Sequence, residues 1–111
     1  QQSSSAASDV YKRQFYEWLR LQYAEGDYFC VHAGGRLGIA LDRQSDEDML
    51  WIRHVFFDSD AKWGYTVVHG HSTVAAPDIR PNRINLHTGA VWSSLLTAMA
   101  FHGESRYVLQ T

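Results

Sequence analysis

The stretch YTVVHGHS, residues 65–72, runs from an apolar, β-branched segment straight into His69, Gly70 and His71. Thr66, Val67 and Val68 favour a strand, and a glycine between two imidazoles lets the backbone turn sharply. The stretch YFCVHAGG, residues 28–35, has the same form: Tyr-x-x-Val-His, then small residues. Both segments are apolar on both faces, as expected of strands inside a sheet covered on both sides. In α/β sheets, ligands gather at the carboxyl ends of such strands. Neutral imidazole on a rigid support is a good metal ligand. The expectation is that His32 and the His69/His71 pair converge on one metal from neighbouring strands. The competing reading is that these are hydrogen-bonded structural histidines. Two strand ends alone do not complete a closed four-ligand site.

Working outward, SDEDMLWIRHVFF (residues 45–57) reads as one helix. Ser45 is its N-cap and Asp48 the capping-box partner. Asp46, Glu47 and Asp48 crowd the first turn, where the helix dipole favours them. Met49, Ile52, Val55 and Phe56 form its apolar face. FYEWLRLQY (15–23) reads as a second helix, with Phe15, Trp18, Leu19 and Gln22 on one face and Glu17 and Arg20 opposite. AAPDIRPN (75–82) is a loop, since its two prolines oppose regular structure. RINLHT (83–88) alternates as a strand, and SLLTAMAF, HGES and RYVLQ (94–110) read as a β-hairpin. Residues 1–14, QQSSSAASDVYKRQ, are polar, serine-rich and aperiodic, and are expected to be a disordered, non-native leader. Without an initiator Met, the chain reads as a piece of something longer.

Composition bounds these readings. The chain has 111 residues, room for one small domain with a modest core. It is 45% hydrophobic and 14% aromatic, which excludes a disordered chain. A net charge of -2 gives no electrostatic reason for a nucleic-acid or membrane partner. The single cysteine, Cys30, has no partner for an internal disulfide and fits a buried apolar role in a reducing, cytoplasmic setting. Two local patterns lead nowhere. GHSTV has Val74 where a nucleophile elbow needs Gly. GGRLG lacks both the dinucleotide spacing and the Lys-Ser/Thr of a phosphate loop.

Four segments taken in order, GDYFCVHAGG, DMLWIRHVF, VVHGHSTVAAPDIRPNRINLHTGA and LLTAMAFHG, resemble the carboxyl-terminal half of bacterial phosphoprotein phosphatases. These belong to the calcineurin-like metallophosphoesterase superfamily, with its serine/threonine protein phosphatases and symmetrical diadenosine tetraphosphatases. The resemblance runs from about Phe15 to Thr111. It implies an α/β, layered fold: part of an αββα sandwich, mostly strands with two helices. It implies that His32 and His71 ligate the second of two divalent metals (manganese, iron or zinc), with His69 beside the phosphate. Arg53 would contact substrate phosphate through its planar guanidinium; its alternative reading is a solvated helix residue paired with Asp or Glu. The implied chemistry is two-metal phosphoester hydrolysis without a covalent intermediate. The substrates would be phosphorylated protein, small phosphoesters or dinucleoside polyphosphates.

The departures matter as much. Gly-Asp-x-His-Gly, Gly-Asp-x-x-Asp-Arg-Gly and Gly-Asn-His-Glu, which supply the family's first metal site and general acid, do not occur here. The chain alone is therefore expected to be catalytically inactive, with no catalytic residue of its own. It is also expected to be hard to keep in solution, with apolar sheet surface exposed. His87, in NLHTGA, stands where relatives carry an acid. Two other classes stay open: a metal- or phosphate-binding module without catalysis, and a structural sheet domain.

Overall fold

The computed structural model describes residues 2–111, with the side chains of 2–5 and 16–18 outside the description. In chain order the elements are α1 (Gln2–Trp18), β1 (Gln22–Glu25), β2 (Tyr28–Val31), a 3-10 turn (Leu41–Arg43), α2 (Asp46–Trp51) and α3 (His54–Phe57). Then come β3 (Thr66–His69), β4 (Asp78–Ile79), β5 (Arg83–Asn85), α4 (Ala90–Ser93), β6 (Thr97–His102) and β7 (Ser105–Gln110). The protein is a mixed α/β structure with a five-stranded sheet ordered β1-β2-β3-β5-β4 and a separate two-stranded sheet, β6-β7. The pairs β2-β3 and β3-β5 are parallel, and antiparallel β1 and β4 close the two edges.

Strand periodicity assigns the faces. Phe29 lies opposite Val67, and Val67 opposite Arg83, while Cys30 lies opposite Val68, and Val68 opposite Ile84. Because side chains alternate along a strand, Phe29, Val31, Val67, His69 and Arg83 share one face. That face packs under α2 and α3, where Leu41, Met49, Ile52 and Phe56 complete the buried core with Ala33. Each such large apolar side chain contributes roughly 1.5–3 kcal/mol on burial. The hairpin β6-β7 reaches the opposite face, where Phe101 meets Tyr28 at 4.3 Å between ring centroids.

The expected strands at 28–33, 65–69 and 83–88 and the carboxyl-terminal hairpin are present, each within a few residues of its expected bounds. Ser45 caps α2 by accepting from the Asp48 N–H at 3.1 Å. The Asp48 carboxylate, however, takes a bidentate pair of donors from Arg36, at 2.7 and 2.8 Å.

Several expectations are corrected. The helix expected over 15–23 ends at Trp18, and Gln22–Glu25 is a strand instead. Two amphipathic turns are too short to hold a helix alone, whereas Tyr23 and Ala24 gain a ladder opposite Cys30 and Phe29. The side chain of Trp18, part of that expected face, lies outside the described residues. Residues 2–14, the stretch read as a leader, lie within α1, and the described side chains among them are exposed. The single helix over 45–57 is two. Ile52 is extended (ψ 145°), and Arg53 (φ -130°, ψ -112°) starts α3 in a new phase. The break turns Val55 outward while Ile52 and Phe56 remain buried. The loop at 75–82 holds the two-residue edge strand β4. Four helices, not two, stand among the described residues. Cys30 is only half-buried.

Apolar surface is exposed around α4 and the hairpin, including Val91, Trp92 (88% exposed), Leu96, Tyr107 and Leu109. Among the described residues no helix is long and apolar enough to cross a membrane.

Candidate metal centre

The carboxyl ends of β2 and β3 lie side by side because the two strands are parallel neighbours. Their loops are tied directly: the Gly70 N–H donates to the His32 carbonyl at 2.7 Å. A Cβ on Gly70 would stand 3.3 Å from the His87 Cβ and 3.7 Å from the His32 carbonyl oxygen. Glycine at this position avoids a tight contact with the His87 side chain. The next residue, His71, has φ 66°, a left-handed conformation uncommon for a side-chain-bearing residue. It turns the imidazole back over the end of β2.

The result is a close pair. His32 Nε2 and His71 Nδ1 are 3.2 Å apart, with ring centroids at 5.1 Å. Arg53, at the break between α2 and α3, donates from Nε to His71 Nε2 at 3.4 Å. Trp51 meets the His71 ring edge-to-face at 5.6 Å. His32, Arg53 and Trp51 are exposed and His71 is half-buried, so the cluster opens to solvent. Burial, and then the neighbouring His32, Arg53 and His87, hold the His71 imidazole below its ordinary pKa, which favours the neutral, ligating form.

The separation of the two nitrogens suits a shared metal. With metal–nitrogen bonds of about 2.0–2.1 Å, adjacent ligands lie about 2.9 Å apart in octahedral geometry and about 3.4 Å apart in tetrahedral geometry. The observed 3.2 Å falls between them. Among the described residues no group of three or more His, Cys, Asp or Glu is arranged to hold a metal. Two imidazoles are fewer donors than the four of a closed site.

His69 does not join this pair. The two-residue period of β3 places it beside Val67 on the helix-covered face, where it is only 4% exposed. Its ring meets Phe56 edge-to-face at 4.9 Å. Its Nδ1 donates to the Gly70 carbonyl at 3.3 Å, and its Nε2 accepts from Arg83 Nη1 at 3.3 Å. Both nitrogens are engaged inside the protein, and burial pushes the imidazole pKa down to about 4.

Sequence reasoning missed the residues that brace the site. Arg83, 2% exposed, donates from Nε and Nη2 to the Phe57 carbonyl, at 3.2 and 3.0 Å, and from Nη2 to Asp78 at 2.9 Å. It therefore ties the end of α3 to β4 and to His69. Asn85, fully buried, donates to the Ser72 carbonyl at 2.8 Å and accepts from the His87 N–H at 3.0 Å, which fixes the loop carrying His71. Asn82 donates to the carbonyls of Ser59 and Ala61 at 2.9 and 3.1 Å. The signal available was the density of polar residues in RPNRIN beside an apolar sheet, since buried polar groups need partners. His87 is exposed at the edge of the cluster.

No protein-family model matches the chain, and no curated protein matches it.

Proposed function

We propose that the chain is the carboxyl-terminal part of a metal-dependent phosphoester hydrolase of the serine/threonine protein phosphatase type, built on part of an αββα metallophosphoesterase sandwich. The observation that carries this is the pair of imidazoles 3.2 Å apart at two parallel strand ends, with Arg53 beside them. His32 Nε2 and His71 Nδ1 would hold a divalent metal (manganese, iron or zinc). When bound, such metals supply Lewis-acid polarisation of phosphate and a nucleophile at neutral pH. Arg53 would bind phosphate oxygens through its planar donors. His69 lies one residue from the loop, and its contribution is to brace the Gly70 carbonyl from below. The remaining ligands and the proton donor to the leaving group belong to polypeptide outside these residues, so this chain alone binds without turning over. Its substrates would be phosphorylated protein, small phosphoesters or dinucleoside polyphosphates. A cytoplasmic setting fits its single, half-buried thiol.

One observation favours a second reading, a metal- or phosphate-binding module without catalysis: the described residues bring only two converging imidazoles together.

Cobalt(II) titration followed by visible absorption tests the ligands. The chain should take up cobalt with loss of binding in His32→Ala and in His71→Ala, and no loss in His87→Ala. Undiminished binding in both of the first two variants would remove the basis of either reading.

A further inference from the structure

The helices α2 and α3 leave part of their sheet face open. Beside β1, between the loop carrying Leu37 and Ile39 and the segment carrying Trp63 and Tyr65, lies a cavity of about 850 Å³. Small-molecule sites span roughly 300–1,000 Å³. No residue of α2 or α3 lines this cavity, nor does His32, Arg53 or His71, so it is separate from the imidazole pair. Phe29, buried in the core, forms its floor. The exposed ring of Tyr65 lies 6.3 Å from that of Phe29. Trp63 is anchored on the core, its ring 6.2 Å from Phe56. The walls are therefore aromatic and apolar, and they are already in place.

Three polar side chains narrow the choice of ligand. Gln22 pairs with Val31, so it projects on the same face as Phe29, and it lines the cavity. Among the described residues, its Oε1 is the one buried side-chain oxygen or nitrogen without a hydrogen-bond partner. Such an acceptor calls for a donor. The terminal torsion of glutamine is soft and the residue as a whole is half-buried, so a turn of the amide brings the oxygen to the cavity. Arg20 and Lys62 also line it, both exposed, and neither forms an ion pair among the described residues. Asp42 opposes them, which leaves one net positive charge.

We propose that this cavity binds a mononucleotide with an amino-bearing base. The base stacks on Tyr65 beside the apolar wall, its exocyclic amino group donates to Gln22 Oε1, and its phosphate meets Lys62 and Arg20. A lipid chain would leave the cations and the amide unanswered. Free phosphate would leave the aromatic walls bare. The proposal does not depend on the metal assignment.

Calorimetric titration of the chain with AMP, in excess EDTA so that no bound metal attracts the phosphate, tests it. AMP should bind saturably and ribose 5-phosphate should not. Purine riboside 5′-monophosphate, which lacks the amino group, should bind about threefold to tenfold more weakly, as one hydrogen bond implies. In Gln22→Leu the two nucleotides should bind alike. Tyr65→Leu should weaken AMP about tenfold through loss of a stacking face. Lys62→Gln, a surface change that leaves the core intact, should weaken it about threefold at low salt and not at all at about 1 M salt. His71→Ala should bind AMP as the wild type does. Absence of saturable AMP binding by the folded chain, equal binding of ribose 5-phosphate, or loss of AMP binding in His71→Ala would each overturn the proposal. The cobalt titration of the imidazole pair would stand or fall independently of that result.

Discussion

Lowering the pH should unfold this protein through His69 before its carboxylates respond. His69 is a buried base held neutral inside the core, with its ring against Phe56 and both nitrogens engaged. Burial is the main reason its pKa falls to about 4 from an ordinary 6.5, and the Arg83 charge adds in the same direction. The unfolded chain therefore binds a proton near pH 6.5 that the folded chain refuses until about pH 4. Stability is complete above the higher value and is lost as pH falls through the window between them. A gap of about 2.5 pH units at about 1.36 kcal/mol each amounts to about 3 kcal/mol. Roughly 2 kcal/mol of that is already lost between pH 7 and pH 5. Asp48 and Asp78, whose carboxyls are held below their ordinary 3.8 by hydrogen bonds from arginine against the opposing effect of burial, lose their contribution only at lower pH. The assay is urea unfolding of dilute protein at pH 7 and pH 5. The midpoint should fall by roughly 1 M, given a slope near 1–3 kcal/mol per molar urea. In His69→Gln, which still accepts from Arg83 but does not titrate, most of this pH dependence should vanish. An unchanged midpoint between the two pH values in the wild-type protein, or an undiminished dependence in His69→Gln, would refute the reasoning.

Two further outcomes follow from the packing. Arg83→Met should destabilise the protein by about 1–3 kcal/mol, because it leaves the Phe57 carbonyl without its buried donor, while Asp78 keeps its hydrogen bonds from Arg80; equilibrium unfolding measures it, and an unchanged stability would show that water replaces the arginine. Gly34→Ala should cost about 2–5 kcal/mol, since a Cβ there would sit 2.3 Å from the Phe56 ring at a backbone φ of 147°; a variant of unchanged urea midpoint would mean the Phe56 ring can move aside.

What the sequence disclosed, and what it withheld, follows one physical division. YTVVH, YFCVH and the hairpin were legible because their apolar patterns are those of buried strands, and Ser45 because capping is a local rule. The break at Ile52 and Arg53 was not legible: nothing in DMLWIRHVFF opposes a continuous helix. It sets Arg53 at the start of α3, beside His71. Nor was Gln22–Glu25 legible, where sheet pairing overrides a short helical pattern. At the site, His32 and His71 meet as their strand-end positions suggested. The position of His69 was available from the alternation with Val67, which sends it into the core and away from the loop. Arg83 and Asn85 escaped notice because a buried polar residue reveals itself only when its partners are known. Those partners, the carbonyls of Phe57 and Ser72, are distant in sequence or carry no side-chain signal.

The most direct test of the account is hydrolysis of p-nitrophenyl phosphate with manganese, by this chain and by a longer protein that contains it. Turnover by the longer protein alone, abolished by His32→Ala or His71→Ala, is the predicted result. A longer protein that turns over at the same rate with both histidines replaced would contradict the assignment of the metal to this pair.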